Sequence, residues 1–124
     1  MSNQQGNVTT TDPQSVAVTY FDAWRAKRFD DLRSLLAEDG FSYSGPLAEL
    51  DTADACREAL ARLGGVMTDL VVERSFVSGP DVVTWFTVHT SVASPNKVVN
   101  WLHVEDGKIK RIRAVYDARE MASI

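Results

Sequence analysis

Residues 81–117 read DVVTWFTVHTSVASPNKVVNWLHVEDGKIKRIRAVYD, with apolar and polar side chains alternating through three segments and Asp106-Gly107 between the last two. A period of two marks half-buried strands, and Asp-Gly is a two-residue hairpin turn, so the stretch predicts an antiparallel meander. The alternation begins at Val66. It predicts strands near 67–78, 82–93, 97–105 and 108–117, with breaks at Ser78-Gly79-Pro80-Asp81 and Ser94-Pro95-Asn96.

Ahead of the strands the period is helical. Asp12-Pro13 offers an N-cap followed by proline at the first helical position, and Val16, Tyr20, Phe21 and Trp24 share one face of a helix over 13–27. Asp30 or Asp31 can cap a second, short helix carrying Leu32, Leu35 and Leu36. Phe41–Ser44 is strand-like until Gly45-Pro46 breaks it. Asp51 or Thr52 then starts a third helix through Ala55, Ala59, Leu60 and Leu63, which Gly64-Gly65 ends. Helices first and strands afterwards predict an α+β fold: a cone-shaped half-barrel of three N-terminal helices on a strongly curved, mainly antiparallel sheet.

The 124 residues suit one domain, expected over 12–124, with the polar and aperiodic residues 1–11 as a disordered tail. A net charge of -4 argues against nucleic-acid binding, and the basic run Lys108, Lys110, Arg111, Arg113 reads as a solvated hairpin end. No apolar run reaches the ~20 residues of a membrane span. The lone Cys56 excludes an internal disulfide and a cysteine-based zinc site, and is expected to pack as a small apolar residue. Residues 1–5 lack the pattern of a signal peptide, so a cytoplasmic location is expected.

If Asp106-Gly107 forms a two-residue turn, Glu105 stands opposite Lys108, and a regular ladder pairs His103 with Lys110, Trp101 with Ile112, and Val99 with Ala114. One face then holds Val99, Trp101, His103, Ile112, Ala114 and Tyr116. The other holds Asn100, Leu102, Arg111, Arg113, Val115 and Asp117. Burying unpaired guanidinium groups is costly, so the Trp101 face is expected to be concave; a slip of one residue would reverse this. In the middle strand, Val83, Trp85, Thr87 and His89 oppose Val82, Thr84, Phe86 and Val88, and both faces are partly apolar. A strand of that kind is commonly covered on both sides, which predicts a homodimer through the outer sheet face.

The residues expected to line a pocket are Tyr20, Trp24, Tyr43, Trp85, His89, Val99, Trp101, His103, Ile112 and Tyr116. His103 is a candidate for proton transfer near neutral pH, and the tyrosines combine apolar rings with hydroxyls able to orient a carbonyl or hydroxyl group. With two histidines and no adjacent carboxylate pair, a metal site is not expected, nor is a cofactor.

The order of elements, the pattern Tyr20-Phe21-Asp22-Ala23-Trp24, the segment Leu35-Leu36-Ala37-Glu38-Asp39, and Asp106-Gly107-Lys108-Ile109 followed by Tyr116-Asp117 resemble the nuclear transport factor two-like superfamily, within it the SnoaL-like group. The resemblance covers about residues 13–121. It implies helices closing a bent sheet around an apolar cavity, in a superfamily that includes polyketide cyclases, steroid isomerases, epoxide hydrolases and dehydratases. The steroid isomerase residues do not carry over. The place of the carboxylate base falls near Tyr43 and Ser44, that of the tyrosine near Ala23, and that of the protonated Asp at Val99. The cyclase pattern ends in an acidic residue that aligns with Asp117 or, in another register, with Ala114. The paired Arg and Asp of the epoxide hydrolases find a loose echo in Arg113 and Asp117.

The expected function is therefore binding of a small apolar molecule. One alternative is an acid/base enzyme of cyclase, isomerase, dehydratase or epoxide hydrolase type, using His103, Tyr43 or Asp117. A dimerisation module without ligand is the other.

Overall fold

A computed structural model describes residues 12–123, so the expected tail lies outside the described residues. Helix α1 spans Pro13–Arg25, with the Asp12 carboxylate accepting the Ser15 amide at 3.1 Å as its cap. Helix α2 spans Phe29–Ser34 and begins at Arg28, which makes no side-chain cap. Asp30 and Asp31 lie in its first turn instead, where negative charge favours a helix N-terminus. Helix α3 spans Ala53–Gly64 and is capped by the Thr52 hydroxyl on the Ala55 amide. No helix among the described residues is long and apolar enough to cross a membrane.

Strands β1 (Ser42–Ser44), β2 (Glu49–Leu50), β3 (Met67–Ser78), β4 (Asp81–Thr90), β5 (Asn96–Glu105) and β6 (Lys108–Tyr116) form one curved, unclosed sheet in the order β2-β1-β6-β5-β4-β3. Only the β1–β6 pair is parallel. The two-residue β2 was not foreseen: Gly45-Pro46 turns the chain so that Tyr43 pairs with Leu50. The cores of β3 to β6 fall close to their expected limits, though β4 stops at Thr90, whose hydroxyl accepts the amides of Val92 and Ala93.

The β5–β6 register corrects the sequence reading. Asp106 and Gly107 both have positive φ and form the expected turn, with Glu105 opposite Lys108. Val104 then pairs with Ile109, but His103 pairs with Arg111, Leu102 with Ile112, and Trp101 with Arg113. Lys110 is the extra residue of a bulge. Residues three apart on a regular strand point to opposite faces, yet Ile109 and Ile112 are both completely buried on one side. Only an inserted residue allows that. Ile109 is further tied down by its amide to the Leu35 carbonyl at 2.8 Å and by its carbonyl to the Ala37 amide at 2.9 Å.

The slip reverses β5. Val98, Asn100, Leu102 and Val104 face the helices, while Val99, Trp101 and His103 face outward beside Arg111 and Arg113. On β6 the expected assignment stands, with Ile112 and Ala114 inside. On β4 the inward residues are Val82, Thr84, Phe86 and Val88, so Trp85 and His89 lie on the outer face. The lysines of the basic run cap carbonyls: Lys108 Nζ reaches Ser34 O at 2.6 Å, and Lys110 Nζ reaches Asp39 O at 3.0 Å.

Candidate functional site

The helical period places Tyr20 and Trp24 one turn apart on α1, toward the sheet. Their rings meet Phe86 and Phe21 in a buried aromatic cluster, with centroids 4.9 Å apart for Phe21–Phe86 and 5.4 Å for Trp24–Phe86. On α3 the same period aligns Cys56, Ala59, Leu60 and Leu63. Between these helices and the concave sheet lies a cavity of about 350 Å³. Its sheet wall is Phe86 and Val88 of β4, Val98 and Asn100 of β5, and Ala114 and Tyr116 of β6. Tyr43, Leu47, Ala48 and Leu50 close one side, and Arg62, Met121 and Ala122 also line it.

Hydrocarbon and aromatic surface dominates, with a few neutral polar groups and one exposed arginine, Arg62. Among the described residues the lining contains no Asp, Glu or His, and no His, Cys, Asp and Glu cluster able to hold a metal. Burial pushes the Cys56 thiol up to about 12, and pushes the phenols of Tyr20 and Tyr43 well above their ordinary range; for Tyr43 the neighbouring Tyr116 adds to the effect. At neutral pH these groups are uncharged hydrogen-bonding partners. The Tyr43 ring folds over Gly45, where a Cβ would stand 2.7 Å from the phenol oxygen, so glycine there leaves room for the hydroxyl.

Two of the residues lining the cavity carry a buried atom with no partner among the described residues: the indole nitrogen of Trp24, a residue 5% exposed, and Oδ1 of Asn100, a residue 3% exposed. A buried polar group left unpaired costs about 1–3 kcal/mol, so both atoms weigh against the stability of the fold.

Of the residues nominated from sequence, the cavity brings together Tyr20, Trp24, Tyr43 and Tyr116. Ile112 is buried in the core. Trp85, His89, Val99, Trp101 and His103 lie across the sheet, on its outer face, because of the β5 slip and the inward turn of Phe86. His103 is held there between two carboxylates, with Nδ1 2.7 Å from Asp81 Oδ1 and Nε2 2.9 Å from Glu105 Oε2. The Trp101 indole donates to the same Asp81 oxygen at 2.9 Å, and these two contacts, Trp101 foremost, lower the Asp81 pKa. Asp117 is exposed, and Arg119 binds its carboxylate and pulls its pKa down to about 2, so it stays an ionised acceptor.

Asn100 was missed as a pocket residue. Its signal lies in the row Val98, Asn100, Leu102, Val104, where one polar side chain interrupts an otherwise apolar set. Had that row been taken as the buried one, the interruption would have stood out.

A model of the SnoaL-like domain family matches residues 17–112. No curated protein sequence matches the chain. Among solved structures, a protein from Kribbella flavida superposes with a TM-score of 0.80 at 22% identity, covering 87% of this chain and 88% of its own. An NTF2-like protein of unknown function from Cytophaga hutchinsonii gives 0.79 at 18% identity, covering 98% of each chain. An LEH-like epoxide hydrolase from M. tuberculosis gives 0.73 at 18% identity, covering 94% of this chain and 88% of its own. At such identities the likeness is one of fold.

Proposed function

The chain belongs to the SnoaL-like domain family, and from that premise we propose that it binds a small, largely apolar molecule between α1, α3 and the concave face of the sheet. The observation that carries this reading is the cavity itself. Its volume sits at the lower end of the range of about 300–1,000 Å³ common for small-molecule sites, and its wall is mainly apolar with a few polar groups to set orientation. General acid/base catalysis draws less support. A carbon acid or an attacking water needs a proton acceptor, and burial keeps the phenols and the thiol of this wall protonated at neutral pH.

The test is titration with prodan, a neutral naphthyl ketone whose emission shifts to the blue in apolar surroundings. The native chain should bind it, and Ala59→Phe, which fills the cavity from α3, should abolish the shift while leaving the thermal midpoint nearly unchanged. Equal binding by both proteins would place the probe elsewhere and overturn the proposal.

We propose in addition that the outer sheet face is covered by a second copy of this chain. Its apolar residues, exposed except for the half-buried Val83, form two adjoining rows across β3 to β6, Phe76, Val83 and Trp101 above Trp85, Val99 and Val115. The surface is self-complementary. A two-fold axis along the strands between β4 and β5 sets each indole against a valine (Trp101 on Val83, Trp85 on Val99), Phe76 against an Arg113 guanidinium, and Asp81 against His103. Sedimentation should give a dimer for the native chain and a folded monomer for Trp101→Arg; a native monomer at high concentration would refute the proposal.

A further inference from the structure

We infer that Asn100 determines the specificity of the cavity, and that its ligand is a neutral apolar molecule bearing a hydroxyl group. This rests on the small-molecule reading above and narrows it. On the inner face of β5, Asn100 stands between Val98 and Leu102, with Thr84 beside it on β4 and Ala114 on β6. The Thr84 hydroxyl is engaged with Ser75 Oγ at 3.2 Å, and Ala114 has no polar group, so neither cross-strand neighbour answers Asn100 Oδ1. A leucine would complete the apolar row. Asparagine adds a carboxamide for which the described residues supply no hydrogen bond, in a residue on the cavity wall.

The second orphan, the Trp24 indole N–H, belongs to the same wall and can only donate. Among the shielded atoms one acceptor and one donor are thus unmet, beside the unpaired Asn100 amide N–H groups. A hydroxyl both donates and accepts, whereas a ketone or ether can accept from Trp24 or from the Asn100 amide N–H but leaves Asn100 Oδ1 unpaired. A carboxylate would repel that oxygen, and the only charged residue in the described lining, Arg62, is solvent-exposed. Both orphan atoms are shielded from solvent, so a ligand reaches Asn100 Oδ1 only when the carboxamide turns toward it. Rotation about the soft terminal torsion of asparagine accomplishes that.

The experiment compares three probes of one shape on the full chain, by calorimetric titration: β-naphthol, its methyl ether, and β-ethylnaphthalene. Naphthol should bind about ten-fold more tightly than the ether, the value of one well-made hydrogen bond. Asn100→Leu should bring the two within about two-fold, leave the affinity for ethylnaphthalene unchanged and raise the thermal midpoint. Equal affinity of the native chain for naphthol and the ether, or a preference that survives Asn100→Leu, would overturn the inference while leaving the cavity as a binding site. A preference lost together with a lowered midpoint would assign Asn100 to the fold and overturn it too. Failure of all three probes to bind the native chain would instead remove the small-molecule reading, and this one with it.

Discussion

Asn100 and Trp101 are neighbours in sequence and opposites in surroundings. The amide is 3% exposed on the concave face, while the indole is 45% exposed on the convex face, close to Trp85 at 47%. Hydrophobicity alone would have placed them the other way round. The difference teaches that each face of this sheet answers a separate demand: the concave face closes a core and bounds a cavity, and the convex face carries more aromatic surface than an isolated sheet needs.

The largest effect should come from charging each face of the same strand. Leu102→Arg places a guanidinium at a completely buried position and should cost about 4 kcal/mol or more, enough to remove the cooperative thermal transition by circular dichroism. Trp101→Arg should leave the folded subunit within about 1 kcal/mol of native. Similar losses in both variants would show that the convex face is a core in its own right.

The aromatic residues of β4 sharpen the contrast. Phe86→Ala empties the centre of the Phe21, Trp24 and Phe86 cluster and should cost about 3–5 kcal/mol in urea unfolding. Trp85→Ala, one residue away on the convex face, should cost about 1 kcal/mol or less in the subunit, with the remaining loss dependent on protein concentration.

The smallest effects are the opposed pH dependences of the two faces. On the concave side Cys56 rises from 9.0 to about 12, and Tyr20 and Tyr43 are also raised. Their protonated forms are favoured by folding, so this stability is complete below pH 9 and is lost as pH climbs toward 12. Cys56→Ala should flatten the alkaline fall of the thermal midpoint. On the convex side Asp81 is lowered, so its contribution is present above its ordinary pKa near 4 and is lost as pH falls through the depressed value. Asp81→Asn should flatten the acid limb alone.

The fold was legible because its signals are local. Asp12-Pro13 and Thr52 announce helix starts through side chains that reach backbone amides three residues on, and Asp106-Gly107 announces a turn that needs two positive φ values. The cavity was legible where it is built from helices: Tyr20 and Trp24 follow from the 3.6-residue period of one uninterrupted helix, which needs no partner strand to set its register. It was illegible on the sheet, where the side-chain period is two and a single extra residue exchanges the faces.

Sequence by itself determined the order of the three helices and of every strand but β2, the final turn and the family resemblance, because capping, turn geometry and periodicity act over a few residues. Tertiary structure alone decided which face of β5 turns inward. That choice was made at Lys110, where burying both Ile109 and Ile112 against the helices outweighed a regular ladder, a balance between groups far apart in the chain. The same event placed Asn100 on the cavity wall and sent Trp101 and His103 to the opposite surface.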